Sequence, residues 1–432
     1  MKFNEYKQLD LTKVAEEILA FWKASNIFEQ SISAREGAAP FVFFEGPPSA
    51  NGVPGIHHVM ARSIKDIFCR YKTQKGFQVK RKAGWDTHGL PVELGVEKEL
   101  GITKEDIGKK ISVEDYNKAC KEAVMRYTDI WNDLTEKIGY WVDMEDPYIT
   151  YKPKYMESVW WLLKQLYNKQ LLYKGYTIQP YSPKAGTGLS SHELNQPGCY
   201  RDVSDTTVVA QFKVRQFPEK LAKHFESIKE PIHILAWTTT PWTLPSNTAL
   251  AVGKEIEYVL VKTYNQYTFE PITIIIGKPL LAKQFGKKFV EGDAQALAAY
   301  TPESKTIPYQ VLGECKGADL VGTTYEQLIP WCAPAENADQ AFRVIAGDFV
   351  TTDDGTGIVH IAPTFGADDA RVAKEYGVPP MLVKDAHGNL IPLVDLQGKF
   401  IEGHNIPEAF AGKYIKNEYY DAGQAPEKSW DV

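Results

Sequence analysis

Two adjacent histidines, His57 and His58, lie in a glycine- and proline-rich stretch, FEGPPSANGVPGIHHVMARSIKD, at residues 44–66. An imidazole can bind a phosphate oxygen or transfer a proton near neutral pH. Glycines let the backbone approach a ligand closely, and the free N–H groups at the start of a following helix favour phosphate. These residues predict a nucleotide site. The alternative is a structural turn in which the two histidines form an ordinary surface or core pair.

A second unusual stretch, WTTTPWTLPSN at residues 237–247, is followed far along the chain by GTGIVHIAP at 355–363 and FGADD at 365–369. Hydroxyl, amide, imidazole and carboxylate side chains are thus concentrated in the second half of the sequence. Runs of threonine are also good strand formers. Taken alone, the threonine run favours a β-strand with hydroxyl groups on one face over a binding pocket.

Hydrophobic periodicity predicts the elements that position the first group. Helical spacing covers residues 11–26, a short apolar strand covers 41–44, and helical spacing returns over 59–71. A second strand is predicted at 77–82, followed by a helix from Gly84 onward. This alternation is typical of a parallel sheet covered by helices, whose ligand crevice lies at the carboxyl ends of the strands.

The pattern of the chain changes at about residue 200. Helices are predicted before it at 112–138 and 153–172, and short β-rich runs continue after it to about residue 400. We therefore predict N-terminal helices and a nucleotide-binding half-domain at 1–200, a β-rich domain at 201–400, and an end segment at 401–432. The end segment is expected to fray, because termini without packed neighbours are commonly disordered.

The composition limits the class of protein. The 432 residues include 44% hydrophobic and 24% charged residues, which suits a folded chain of two or three domains. The net charge of −6 argues against a protein that coats DNA. The five cysteines form no C-x-x-C pair, and no apolar run reaches the length of a membrane span. We expect a cytoplasmic protein.

Taken together, the motifs resemble those of the class I aminoacyl-tRNA synthetases. GPPSANG, the tetrapeptide at 55–58 and GWDTHGLPVE at 84–93 resemble the catalytic domain, and GWDTHGLPVE is the form found in the isoleucine enzymes. The threonine run and GTGIVHIAP resemble the editing domain of the isoleucine, valine and leucine enzymes. The resemblance implies an α/β fold: a parallel-sheet, Rossmann-type nucleotide-binding half-domain with an inserted β-rich, barrel-like α+β editing domain. Valine specificity is the nearest rival.

The resemblance implies a synthetic site in which the isoleucine carboxylate attacks the α-phosphate of ATP, and positioning and charge stabilisation supply most of the catalysis. The implied partners are ATP with Mg2+, isoleucine and tRNA(Ile). Asp86 would accept hydrogen bonds from the substrate α-ammonium group. The implied amino-acid-binding residues are Gly46, Pro47 and Asp86, and the implied ATP-binding residues are Pro48, Asn51, Gly55, His57 and His58, of which His57 and His58 are the catalytic pair.

The resemblance also implies an editing pocket that hydrolyses valine mischarged on tRNA(Ile), through a positioned water and without a metal or covalent nucleophile. Its implied residues are Thr238, Thr239, Thr240, Asn247, His360 and Asp369. Asp369 would hold the α-ammonium group, His360 would bound the side-chain pocket, and the threonines would order the water and the ester. The sequence contains no G-x-S-x-G elbow or metal-ligand cluster that offers another hydrolytic site.

The chain departs from the family pattern at two places. The signature is Gly55-Ile56-His57-His58, whereas the family pattern is His-x-Gly-His. Residues two apart at a helix start point roughly 200° apart, so His57 is not expected to replace the lost imidazole. Either the ATP site is rebuilt locally or adenylate formation is impaired. Ser182 and Ala185 stand where many relatives have zinc-binding cysteines, and no zinc is expected there.

The sequence shows no KMSKS-like loop, second Rossmann half or anticodon-binding helical domain. The resemblance therefore implies a piece of a synthetase, with half of the synthetic site and a nearly complete editing pocket. A free-standing deacylase and a non-catalytic binding protein are the alternatives. The stretch 41–95 weighs against the deacylase, because a pure hydrolase has no use for it. We expect a monomer without membrane or DNA partners.

Overall fold

The computed structural model describes residues 8–174, 177–202, 205–420 and 423–424. The chain forms two compact units, Met1–Gly175 and Tyr176–Val432. The domain limits predicted at residues 200 and 400 stay a prediction. Within the described ranges, each helix is too short or too polar to span a lipid bilayer.

The first unit alternates helices with strands. Its helices are α1 (Leu11–Ala24), α2 (Ile27–Ser33), α3 (Ile56–Gln74), α4 (Leu90–Leu100), α5 (Val113–Val124), α6 (Thr128–Lys137) and α7 (Pro153–Asn168), with a 3-10 turn at Lys104–Asp106. Its strands are β1 (Pro40–Phe44), β2 (Gln78–Trp85) and β3 (Asp143–Ile149). The predicted order of strand, helix, strand and helix is confirmed.

The strands β1, β2 and β3 form a parallel sheet in that order. Their carboxyl ends therefore lie at one edge, and α3 connects β1 to β2 as parallel pairing requires. Arg81 of β2 is fully buried and ties the sheet to α3. Its guanidinium donates to Thr73 Oγ1 at 2.9 Å and to Asp66 Oδ1 at 3.3 Å.

Two predicted helices are each divided in the structure. The pattern over 11–26 ends at Ala24, and α2 begins after Asn26, whose φ of 49° is the left-handed conformation that asparagine tolerates. The pattern over 112–138 contains α5 and α6, with a break at residues 125–127. Neither glycine nor proline lies at that break, so the sequence gives no signal for it.

The segment from Gly84 begins as strand and not as helix. β2 continues to Trp85, and α4 begins only at Leu90. A Cβ atom at Gly84 would lie 2.3 Å from the ring of Tyr148 on the adjacent β3. The glycine is therefore needed for close packing of the neighbouring strands. In the sequence alone, a glycine with this role looks the same as a glycine that marks a turn.

The second unit is rich in strands, as predicted. Its strands are β4 (Tyr181–Ser182), β5 (Thr187–Gly188), β6 (Val208–Gln216), β7 (Ile232–Thr238), β8 (Ala249–Val252), β9 (Glu257–Tyr264), β10 (Pro271–Gly277), β11 (Phe289–Glu291), β12 (Ile307–Lys316), β13 (Thr324–Tyr325), β14 (Arg343–Ala346), β15 (Ile358–Ile361), β16 (Leu382–Lys384) and β17 (Leu390–Pro392). Its helices are α8 (Ser191–Leu194), α9 (Glu219–His224), α10 (Leu281–Phe285), α11 (Ala294–Ala298), α12 (Gly317–Leu320) and α13 (Ala367–Glu375). 3-10 turns lie at Pro241–Ser246, Lys278–Leu280, Gly286–Lys288, Ala338–Gln340 and Asn417–Tyr419.

Six strands of this unit close into a barrel in the order β6, β7, β15, β8, β14, β13, and β13 pairs again with β6. The strands β10, β9, β12 and β11 extend the same sheet from β7. Fully buried side chains from several barrel strands, among them Phe212, Ile234, Leu250 and Tyr325, pack in one cluster. The α/β fold with a barrel-like β-rich domain is confirmed.

The segment after residue 400 is packed where the structure describes it. Ile406 and Ile415 are buried with Met381, Leu393 and Phe400 in one apolar cluster. The fraying expected for 401–432 is therefore wrong for residues 401–415, because an apolar cluster formed by distant residues supplies their neighbours. Residues 421–422 and 425–432 lie outside the described residues.

Candidate active sites

The first candidate site lies at the carboxyl ends of β1 and β2. β1 is followed by Gly46-Pro47-Pro48, and β2 is followed by Asp86. The Asp86 N–H donates to the Pro48 carbonyl at 2.9 Å, which joins the two strand ends. The Asp86 side chain is exposed. The structure thus brings the predicted amino-acid-binding residues together at the edge where parallel sheets bind ligands.

The loop between Pro48 and Gly55 is anchored on α6 and the turn before it. Trp131 is buried, and its Nε1 donates to the Gly52 carbonyl at 2.8 Å. The Tyr127 N–H donates to the Ala50 carbonyl at 3.1 Å. Asn51, predicted to bind ATP, lies between these two anchors, in a backbone that is fixed on both sides.

Glu45 is a site residue that the motifs alone do not identify. Its side chain is 2% exposed, forms an ion pair with Lys65 of α3 and accepts a hydrogen bond from the Tyr140 hydroxyl. Lys65 also donates to the Gly46 carbonyl at 3.2 Å. A buried carboxylate needs such partners, so this group fixes the turn that carries Gly46. The sequence feature that could have identified Glu45 is a charged residue directly after an apolar strand.

His58 lies in the first turn of α3 as a neutral imidazole. The Gly55 N–H donates to His58 Nδ1 at 2.9 Å, so the ring hydrogen of the neutral form is on Nε2. The ring packs edge-on against Trp131 with centroids 4.7 Å apart. Burial lowers the pKa of His58 below its ordinary value of 6.5, and the nearby His57 and Arg62 lower it further. An Nε2–H donor at a helix start suits a phosphate oxygen.

The ring of His57 lies beside Gly55, and the expectation that it does not replace the lost imidazole stays a prediction. A Cβ atom at residue 55 would lie 2.9 Å from Cε1 and 3.1 Å from Nδ1 of His57. Helical side chains point back toward the N-terminus of their helix, so this ring reaches the space beside the N-cap residue. The glycine and the imidazole of the exchanged signature therefore form a steric pair.

This pairing predicts that positions 55 and 57 are energetically coupled when the exchange is reversed. Gly55→His alone places its Cβ against the His57 ring, and His57→Gly alone costs about 1 kcal/mol of helix stability. Because the clash is absent in the double variant, we expect a coupling free energy of about 1 kcal/mol, within the usual range for contacting residues. A double-mutant cycle of urea unfolding measures it. Gly52→Ala, where a Cβ meets no atom within 4 Å, is the control, and additive effects would contradict the pairing.

The second candidate site lies at one end of the barrel. β15 pairs with both β7 and β8: Val359 is opposite Trp237, and His360 is opposite Leu250. The GTGIVHIAP motif and the threonine run, far apart in the sequence, are therefore neighbours in the sheet. Here the two motifs form one site.

The threonine run leaves the strand after its first residue. Thr238 is buried at the end of β7, whereas Thr239 and Thr240 are exposed in the turn that follows. The Thr240 N–H donates to Thr238 Oγ1 at 3.0 Å. A strand with all three hydroxyls on one face is therefore wrong, because Pro241 has no N–H for ladder pairing and begins a 3-10 turn.

His360 lies at the centre of a buried hydrogen-bond chain. Its Nδ1 is 2.8 Å from Asn247 Nδ2, and its Nε2 is 2.8 Å from Thr243 Oγ1. The Thr243 hydroxyl donates to the Thr240 carbonyl at 2.8 Å. Burial lowers the pKa of His360 to about 4, so the ring is neutral at pH 7. Protein groups occupy both ring nitrogens, which suits a wall of a side-chain pocket better than a general base.

Asp369 lies in the first turn of α13, close to the end of β15. The Ala362 N–H donates to Asp369 Oδ2 at 2.8 Å. Burial raises the pKa of Asp369 above its ordinary 3.8, the Ala362 hydrogen bond opposes that change, and the Asp368 charge adds to it. The carboxylate therefore lacks a countercharge that a ligand ammonium group could supply. Gly366 makes room for it, since a Cβ there would lie 2.7 Å from Asp369 Cγ.

The segment that carries Ser182 and Ala185 forms a two-stranded turn. β4 pairs with β5, and the Ala185 N–H donates to Ser182 Oγ at 3.2 Å. Among the residues that the structure describes, no three His, Cys, Asp or Glu side chains are grouped as metal ligands.

Two further residues join the second site without a clear sequence signal. Thr243 lies inside the threonine run and links His360 to the turn. Tyr325 is fully buried on β13, and its hydroxyl donates to Asn247 Oδ1 at 2.7 Å. Tyr325 is 78 residues from Asn247 in the chain. Only closure of the barrel brings the two together.

Comparison with known proteins agrees with this architecture. Residues 17–351 match the family of class I tRNA synthetases (I, L, M and V), so the chain belongs to this family. It is 62% identical to the isoleucine–tRNA ligase of Porphyromonas gingivalis over 437 residues, which cover 98% of this chain and 37% of that protein. It is 60% identical to the isoleucine–tRNA ligase of Bacteroides fragilis over 444 residues, which cover 100% of this chain and 38% of that protein.

The chain thus spans less than two fifths of the length of these curated relatives. Among solved structures, it is similar to the editing domain of the cytosolic leucyl-tRNA synthetase of P. knowlesi. That similarity has 14% identity and a TM-score of 0.28, and it covers 40% of this chain and 64% of the other. A likeness this slight bears on neither fold nor function.

Proposed function

We propose that the chain supplies part of an isoleucine–tRNA ligase. In this proposal, the first unit binds isoleucine through Gly46, Pro47 and Asp86, and binds ATP with Mg2+ through the loop from Pro48 and the start of α3. The products are isoleucyl-adenylate and then isoleucyl-tRNA(Ile), formed in the cytoplasm. The names of the curated relatives and the joined ends of β1 and β2 support it. The same strand ends weigh against a free-standing deacylase.

We further propose that the second unit hydrolyses valine esterified to tRNA(Ile). One methylene contributes only about 1–3 kcal/mol of binding free energy in an apolar pocket. The discrimination of isoleucine from valine by isoleucine enzymes is itself the standard example of this limit. A second pocket that admits valine and excludes isoleucine would supply the missing discrimination. The observation that carries this proposal is the half-buried Asp369 carboxylate, which has no cationic partner among the described residues and lies close to the strand that carries His360.

In the proposed pocket, Asp369 holds the α-ammonium group of the valyl ester and His360 bounds the space for its side chain. Thr238 at the end of β7, with Thr239 and Thr240 in the turn that follows, positions the water and the ester. Asn247 holds His360. The reaction is attack of water on the ester carbonyl with release of valine and free tRNA, and it requires no metal or covalent nucleophile.

The test is hydrolysis of Val-tRNA(Ile) by this chain, with Ile-tRNA(Ile) as the parallel substrate. We expect release of valine and little release of isoleucine. Equal hydrolysis of both esters would contradict the isoleucine assignment. Absence of hydrolysis by a folded chain that binds tRNA would contradict editing by this unit on its own.

A further inference from the structure

The hydrogen bonds around Asn247 fix the orientation of its side-chain amide. Nδ2 is 2.8 Å from the Ala249 carbonyl and 2.8 Å from His360 Nδ1. A carbonyl oxygen can only accept, so the amide nitrogen must face Ala249. Oδ1 then faces the Tyr325 hydroxyl, which is the donor at 2.7 Å. A rotated amide would place two acceptors in contact at Ala249.

This orientation determines which ring nitrogen of His360 carries the hydrogen. Nδ1 faces an amide N–H, so Nδ1 accepts and the hydrogen must be on Nε2. Nε2–H then donates to Thr243 Oγ1, and the Thr243 hydroxyl donates onward to the Thr240 carbonyl. Each donor and acceptor in the chain from Tyr325 to Thr240 is therefore assigned, and the direction is the same throughout.

Tyr325 lies at the beginning of this chain of hydrogen bonds. It is fully buried on β13, and its ring packs edge-on against Phe212 with centroids 5.3 Å apart. Burial raises the pKa of the Tyr325 hydroxyl well above 10, so the group remains a donor over the whole working range of pH. The last acceptor is the Thr240 carbonyl, in the turn that follows β7.

We propose that Tyr325 is a positioning residue of the editing pocket, which acts through Asn247 and His360 on the Thr240 turn and makes no contact with the substrate. The inference rests on the proposed hydrolysis for its effect on rate, but the state of the His360 ring is independent of that activity. Without the Tyr325 hydroxyl, Asn247 Oδ1 is a buried acceptor without a donor. The Ala249 carbonyl still holds the amide nitrogen, but the amide and the ring are held less firmly, and the anchor of the turn is weakened.

The first arm of the test reads the His360 ring directly. Long-range 1H–15N NMR of the 15N-histidine-labelled chain at pH 7 distinguishes Nε2–H from Nδ1–H. We expect His360 to be Nε2–H, and we expect Tyr325→Phe to broaden the His360 ring signals by exchange, because the amide that faces Nδ1 is held less firmly. Nδ1–H in the unaltered chain, or an unchanged ring in the variant, would overturn the proposal. If the variant does not fold, the position of the ring hydrogen in the unaltered chain still tests the assigned direction of the hydrogen bonds.

The second arm measures hydrolysis of Val-tRNA(Ile). We expect Tyr325→Phe to lower the rate about tenfold, as for a buried group left without its partner. The same change made on Asn247→Ala should have no further effect on the rate, because Tyr325 acts through Asn247. Tyr264→Phe is the matched control, since it removes a tyrosine hydroxyl that donates to the Leu297 carbonyl elsewhere in the unit.

The outcomes separate this inference from the proposed function. If the unaltered chain hydrolyses nothing, the proposed function fails and the NMR arm alone decides the inference. If the chain hydrolyses Val-tRNA(Ile) and Tyr325→Phe retains both rate and ring form, only the inference fails. A lower unfolding midpoint with unchanged rate and ring form would show that Tyr325 is merely a core residue.

Discussion

Asp369→Asn should abolish most hydrolysis of Val-tRNA(Ile) without weakening the fold. A charged hydrogen bond between the carboxylate and the α-ammonium group contributes about 1.5–3 kcal/mol, so the rate should fall roughly 100-fold. The asparagine oxygen can still accept from the Ala362 N–H, which keeps the end of β15 joined to α13. The rate on saturating and subsaturating Val-tRNA(Ile) measures the effect.

The expected effect of Asp369→Asn on the stability of the fold follows from the raised pKa of Asp369. Its folded-state pKa exceeds the ordinary 3.8, so the folded chain binds this proton more tightly than the unfolded chain. The carboxyl therefore stabilises the fold below pH 3.8, and that contribution is lost as pH rises through the folded-state pKa. At pH 7 the ionised group is a net cost, so replacing it with a neutral amide should leave the unfolding midpoint unchanged or higher.

Asp368→Asn is the matched control for Asp369. The Asp368 side chain is 75% exposed and lies 3.7 Å from Arg371, so it is a solvated neighbour on the same helix turn. We expect its replacement to change the rate less than twofold, because exposed ion pairs contribute little. A similar loss of rate in both variants, or a marked fall in the unfolding midpoint of Asp369→Asn, would contradict the assigned role.

The sequence predicts the first unit well because its pattern is local. Strand, turn and helix follow one another between Phe41 and Tyr71, and parallel pairing then places both strand ends at one edge. The motifs do not identify Glu45 because its partners Lys65 and Tyr140 come from α3 and from the loop between α6 and β3. Their contact with Glu45 depends on packing that no local pattern encodes.

The barrel, in contrast, shows where prediction from the sequence fails. A β-rich domain is predictable from alternating runs, but strand order is not, because β7 pairs with β15 across more than a hundred residues. Asn247, His360 and Asp369 could be named only through the family resemblance. Tyr325 carries no motif and lies on a strand of two residues, so its role depends on closure of the ring. The position of His57 likewise needed side-chain direction as well as helical angle.

Acid should unfold the chain partly through His360. Its folded-state pKa is about 4, against an ordinary 6.5, because burial disfavours the imidazolium. The unfolded chain therefore binds this proton first. The stability from neutral His360 is fully present above pH 6.5 and is lost as pH falls toward 4, a total of about 3 kcal/mol at 1.36 kcal/mol per pKa unit. Protonation of Asp369 opposes part of this loss near the acid end of the window.

Urea unfolding at several pH values between 7 and 4 measures this dependence. We expect His360→Asn to start from a lower stability at pH 7, because the Thr243 and Asn247 hydrogen bonds are disturbed, yet to lose less stability on acidification than the unaltered chain. His387→Asn is the control, since His387 is exposed in the same unit and lies outside the hydrogen-bond chain around His360. An equal loss in the unaltered chain and in His360→Asn would mean that other groups govern acid unfolding. A smaller loss confined to His360→Asn would identify the buried imidazole as the acid-sensitive element of the pocket.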